Sequence, residues 1–184
     1  SHCHLDYLER DGDLEAAVQR AHSVGIGTMV TICTKVSEFP TVSAIAERYE
    51  DVWCTVGIHP HDAANEPEVS TEQLIDLAQH PKVIGIGETG LDYYYENSPR
   101  EDQRRSFRAH IAAARETGLP LIVHTRDADQ DTIEVLTEEY ENGAYPGLIH
   151  CFSAGEELAQ VAIDLGLYIS VSGIITFKSA NSPF

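Results

Sequence analysis

Apolar positions along the chain follow two alternating periods. Short β-branched or apolar runs occupy 28–33, 52–58, 83–87, 119–123, 147–149 and 167–171. Between them, apolar residues recur at helical spacing. The stripes are Leu14, Ala17, Val18, Ala21 and Val24; then Val42, Ile45, Ala46 and Tyr49; then Leu74, Leu77 and Ala78. Phe107, Ile111 and Ala114 follow, then Ile133, Leu136 and Tyr140, and last Leu158, Val161, Ala162 and Leu165. Gly25, Gly118, Gly143 and Gly166 stand where stripes stop, the position at which glycine closes a helix. Ser70 or Thr71, with Glu72 or Gln73 nearby, supplies a cap for the third stripe.

The opening segment, Ser1-His2-Cys3-His4-Leu5-Asp6, reads as one more strand end. Side chains alternate along a strand, so His2 and His4 share one face while Cys3 and Leu5 share the other. Strands that alternate with helices imply a parallel sheet with crossover connections. An open doubly wound sheet and an eight-stranded barrel both satisfy that pattern. No G-x-G-x-x-G follows the first strand, which removes support for dinucleotide binding. Histidine-bearing polar residues fall at the carboxyl end of nearly every strand, where a barrel builds its site. The expected fold is therefore α/β, a TIM-type (β/α)8 barrel with the eighth strand region missing from the given chain. Residues 1–184 are expected to form one hydrolase domain.

Composition adds bounds. Hydrophobic residues make up 42% and charged residues 23%, which places the chain among globular domains and not disordered ones. Twelve Lys and Arg against 30 Asp and Glu leave a net charge of −18. The mean field therefore repels nucleic acid and anionic membrane, and any phosphate must be held by local arginines or bound cations. Cys3, Cys33, Cys54 and Cys151 are widely spaced with no C-x-x-C pair, as expected of reduced thiols in a cytoplasmic protein. No run approaches the roughly 18–20 apolar residues of a membrane span. The chain starts inside a motif and without Met, so its natural first residues are expected to be missing.

Five candidate metal ligands terminate four of the strands: His2 and His4, Glu88, His124 and His150. Each alone is an ordinary residue. Together, imidazoles with one carboxylate suit a borderline divalent ion such as zinc, manganese or nickel. A carboxylate can bridge two such ions, and water held between them ionises near neutral pH and becomes a nucleophile.

At this point the residues resemble a family. The segments are Ser1-His2-Cys3-His4-Leu5-Asp6, Gly57-Ile58-His59-Pro60-His61, Gly87-Glu88-Thr89-Gly90-Leu91-Asp92-Tyr93-Tyr94, His124-Thr125-Arg126-Asp127-Ala128 and His150-Cys151-Phe152-Ser153. In this order they are similar to the TatD-type deoxyribonucleases of the amidohydrolase superfamily. The resemblance implies a metal-dependent phosphodiester hydrolase, a 3′–5′ deoxyribonuclease acting on DNA (or RNA) through a metal-activated hydroxide. It further implies two divalent ions, with magnesium also able to support activity; the chain is expected to be a monomer. On this carry-over His2 and His4 bind one ion, His124 and His150 the other, and Glu88 both. His59 is a site-facing histidine that holds a further metal or contacts the scissile phosphate, with His61 beside it. Arg126 neutralises a phosphate oxygen or pairs with Asp127 or Asp129. Asp92, grouped with these on the substrate side, positions a ligand or caps its loop.

Tyr93, Tyr94 and Tyr95 are adjacent and so point different ways, available for base stacking or for packing. Arg100, Arg104 and Arg108 form a row on one helix face, expected to be its solvated side. The chain departs from the family at its end, where an acidic Glu-Thr-Asp segment on strand 8 is missing. The expectation is that the sequence skips a stretch between Ala180 and Asn181. Two alternatives stay open: an amide, ester or lactone hydrolase on the same barrel, or a metal-binding protein without activity.

Overall fold

The computed structural model describes residues 2–66 and 69–177. Seven strands lie side by side in chain order: β1 (His2–Cys3), β2 (Met29–Thr31), β3 (Val52–Val56), β4 (Val83–Asp92), β5 (Leu121–Arg126), β6 (Gly147–Ile149) and β7 (Tyr168–Ile169). Every neighbouring pair is parallel. Helices α1 (Leu5–Asp11), α2 (Leu14–Ser23), α3 (Phe39–Arg48), α4 (Thr71–Ala78), α5 (Arg100–Thr117), α6 (Asp129–Glu141) and α7 (Glu156–Asp164) connect them. The sheet is curled. His2 of β1 stacks on His150, just beyond β6, at 3.5 Å between ring centroids, although four strands lie between their own. A flat sheet would hold those strands far apart, since neighbours are spaced about 4.8 Å. The architecture is thus the α/β TIM-type barrel expected, with seven of its strands among the described residues. The junction between Ala180 and Asn181 lies outside them.

The helical stripes bury as their spacing demands. Leu14 and Val18 of α2, Val42, Ile45 and Ala46 of α3, Leu74 of α4, Phe107, Ile111 and Ala114 of α5, and Leu158 and Ala162 of α7 all join the core. Ser70 caps α4 through a reciprocal pair of hydrogen bonds with Gln73, which satisfies two otherwise orphaned donors. Gly118 closes α5 in the left-handed conformation, at φ 69°. One helix was not anticipated. Leu5 and Leu8 make α1, and Gly12 ends it at φ 75°.

β4 also departs from expectation. It runs on past Gly87 to Asp92. Two features allow this. Gly87 pairs with Ile122 and Thr89 with Val123, so Glu88 is an extra residue inserted in the ladder. Such a bulge re-aims one side chain, and here that side chain is the carboxylate. Gly90, at φ 134°, then lies so close to the His124 carbonyl that no Cβ fits between the strands.

Candidate metal centre

The strand ends deliver their polar side chains to one cavity. His2, His4, His59, His61, Glu88, His124 and His150 line it, together with Tyr7, Arg10 and Lys35 at its rim. Glu88 is the centre. It is 4% exposed, and its N–H donates to the Cys33 carbonyl across the barrel (3.1 Å). His2 Nε2 lies 3.2 Å from Oε2, while His124 Nδ1 lies 3.4 Å and His59 Nε2 4.0 Å from Oε1. Burial opposes the charge on Glu88, but the adjacent His124 and His2 imidazoles outweigh it and hold the carboxyl well below its usual range. The group stays ionised.

Three of the imidazoles are held neutral. Burial pushes His59 down to about 3 and His150 to about 4, and lowers His4. Burial acts in the same direction on His124, yet the Glu88 and Asp92 carboxylates prevail and raise it. Neutral imidazoles beside an ionised carboxylate are the protonation states a divalent ion needs of its ligands.

Two triads present one ligand atom each within 4.8 Å of one another: His2 with Glu88 and His150, and His59 with Glu88 and His124. Glu88 is common to both. His4 belongs to neither; its ring meets His2 edge-on at 5.3 Å and lies parallel to Tyr7. Its Nδ1 is nonetheless buried with no hydrogen-bond partner among the described residues, an atom that an ion in the cavity would satisfy. The donors fit divalent ions on type, protonation and spacing.

His59 differs from the other imidazoles in its second nitrogen. Its Nδ1 accepts the His61 N–H at 3.2 Å. A neutral ring with Nδ1 accepting carries its proton on Nε2, so the atom facing Glu88 is a donor. His124 is turned the other way. Its Nε2 donates to Asp92 Oδ2 at 2.9 Å, which leaves Nδ1 free to ligate.

Asp92 is buried at 1% exposure and stands behind the His61 and His124 imidazoles. Oδ2 accepts from His61 Nε2 (3.0 Å) as well as from His124, and Oδ1 accepts the N–H groups of Tyr94 and Tyr95. It therefore both orients histidines and caps its loop. Arg126 is exposed, and no carboxylate among the described residues pairs with it. Of the aromatic trio, Tyr93 packs against the core and donates to Asp131 at 2.6 Å, while Tyr94 and Tyr95 are exposed. The row on α5 is tied to neighbours: Arg100 to Glu96, Arg104 to Asp131 and Glu134, Arg108 to Glu138 and Glu139.

Two supporting residues escaped the sequence reading. Gln103 of α5 is fully buried and brackets Asp92, accepting from its N–H (2.8 Å) and donating to its carbonyl and that of Ser98. His110 is fully buried one helical turn from Phe107, donates to the Ser106 carbonyl and accepts the Ile58 N–H at 3.0 Å. It thereby fixes the residue before His59. The sequence signal for both was a polar residue on the apolar face of α5.

Similarity to known proteins points the same way. The family model described as TatD related DNase matches residues 1–183. A Bacillus subtilis protein named as a metal-dependent hydrolase, YabD, is 35% identical over 183 residues, spanning 100% of this chain and 71% of that protein. The Salmonella typhimurium 3′–5′ ssDNA/RNA exonuclease TatD is 34% identical over 161 residues, 88% of this chain and 62% of its own length. The crystal structure of YjjV, a TatD homologue from Escherichia coli, superposes with a TM-score of 0.87 at 31% identity, covering 98% of this chain and 70% of that one. Family match, relatives and fold agree on a metal-dependent hydrolase, and the chain belongs to the TatD-related DNase family.

Proposed function

We propose that this protein, read as one hydrolase unit over residues 1–184, hydrolyses phosphodiester bonds of single-stranded DNA from the 3′ end. The observation that carries this reading is the convergence of four imidazoles on the buried, ionised carboxylate of Glu88. His2, His150, His124 and Glu88 would hold two divalent ions, with His4 joining through Nδ1. Such ions supply Lewis acidity toward a phosphoryl oxygen and a nucleophile at neutral pH. Zinc, manganese or nickel suits the nitrogen-rich donors, and magnesium is the oxygen-preferring alternative.

The chain's own residues do the rest. His59 Nε2–H donates to a non-bridging phosphate oxygen, as its tautomer permits. His61 lines the same wall. Arg126 meets an adjacent phosphate, a role its lack of a carboxylate partner favours in a chain of charge −18. Asp92 keeps the His124 tautomer. The free thiols fit a reducing cytoplasm, and among the described residues no helix is long and apolar enough to cross a membrane.

The test is cleavage of a 3′-labelled single strand by chelator-stripped protein reloaded with each metal, alongside Glu88→Gln. Metal-restored release of 3′ nucleotides that Glu88→Gln abolishes, with weakened metal binding by calorimetry, supports the reading. Turnover of neutral esters or lactones in place of diesters would move it to the ester-hydrolase alternative. Ion binding with no turnover would leave a metal-binding protein.

A further inference from the structure

We infer that Tyr94, Tyr95 and Arg126 form a seat for one unpaired base beside the His61 wall of the cavity, a binding subsite beyond the metal centre. The inference deepens the nuclease reading and rests on it for the identity of the ligand. Three observations carry it. The Arg126 guanidinium lies 3.9 Å over the Tyr94 ring and 4.9 Å over that of Tyr95. The two rings stand at 89° with centroids 4.7 Å apart, and they remain 56% and 55% exposed. Tyr95 in turn meets the His61 ring edge-on at 5.4 Å, and His61 meets His59 at 4.4 Å. The aromatic corner is therefore continuous with the imidazole wall.

The chemistry of that corner is selective. Two perpendicular rings make an L, in which a flat ligand stacks on one face and abuts the edge of the other. Every other arginine among the described residues makes an ion pair with a carboxylate: Arg10, Arg20, Arg48, Arg100, Arg104, Arg105, Arg108 and Arg115. Arg126 makes none. A guanidinium held over aromatic rings and without a carboxylate partner keeps N–H groups available to a phosphate. One flat apolar ligand beside one anion is the composition of a nucleotide. The geometry is also held in place, because Asp92 Oδ1 binds the N–H groups of both Tyr94 and Tyr95. The carboxylate that orients His124 thus also sets the seat. A base can reach an exposed L only when it is out of the duplex, so the seat selects single strands or frayed ends.

The experiment measures binding on the full chain stripped of divalent ions, so that nothing is cleaved. Fluorescence anisotropy compares a 5′-labelled single strand with the same strand carrying abasic residues at its 3′ end. The wild-type chain is expected to bind the base-bearing strand more tightly. The double substitution Tyr94→Ala, Tyr95→Ala is expected to weaken that strand about tenfold, within the range of base–aromatic stacking, and to leave the abasic strand unchanged. Tyr94→Phe with Tyr95→Phe should restore the preference, which a lost hydroxyl contact would not. Equal affinity of the wild-type chain for both strands, or equal weakening of both by the alanines, overturns the seat. Cleavage by the metal-loaded chain reads the hydrolase proposal separately. An inert chain that still discriminates the strands keeps the seat and loses the nuclease, and an active chain that does not discriminate does the reverse.

Discussion

His124 Nε2 lies 2.9 Å from Asp92 Oδ2, on the side of the imidazole opposite Glu88. The contact fixes which nitrogen carries the proton and so which nitrogen faces the cavity. Asp92 is buried, and its other oxygen is occupied by two backbone N–H groups.

Replacing it tests that relationship. Asp92→Asn keeps the shape but offers only one acceptor oxygen and places an amide N–H against an imidazole. Metal affinity by calorimetry should fall about 10- to 100-fold, the usual effect of losing an outer partner of a ligand histidine. Unchanged affinity would mean that His124 is oriented by packing alone.

Acid sensitivity should originate partly in His110, which lines no part of the cavity but braces Ile58 beside His59. Burial pushes its pKa down to about 4, with the Ser106 carbonyl opposing. The unfolded chain takes up that proton near 6.5 and the folded chain only near 4. Stability from this group is complete above pH 6.5 and declines as pH falls toward 4, by on the order of 3 kcal/mol across the window. Other lowered histidines share the sign, so the His110 share is the difference between denaturation curves of wild type and His110→Gln. The variant should show the shallower pH slope. Parallel slopes would sink the assignment.

Gly90→Ala addresses the β4–β5 contact. A Cβ at φ 134° would collide with the His124 carbonyl, and both strands carry ligands there. The substitution should destabilise the fold by about 1–3 kcal/mol or more, read as a lowered midpoint in urea. A midpoint equal to wild type would show that the strands separate without strain.

Arg126→Gln should reduce the dependence of DNA affinity on salt. If its guanidinium meets one phosphate, the slope of log K against log salt should drop by about 0.7–0.9. The mean charge of −18 makes each such contact count, since no broad positive surface compensates. An unaltered slope would place the arginine off the path of the strand.

What the sequence determined by itself was local. Periodicity fixed the strand–helix alternation, because burying a stripe at 3.6 residues or a run of β-branched ones leaves few choices. The types and strand-end positions of His2, His4, Glu88, His124 and His150 were equally plain, as was the αL glycine closing α5. What the tertiary structure decided was which donors meet. The triads join His2 to His150 and His124 to His59 and leave His4 apart. That grouping follows from sheet curvature and from the bulge that turns Glu88 inward, neither of which leaves a mark in spacing. The braces are tertiary for the same reason. Gln103 and His110 look like polar interruptions of an apolar stripe until β4 and the end of β3 are packed against them and their hydrogen bonds find partners.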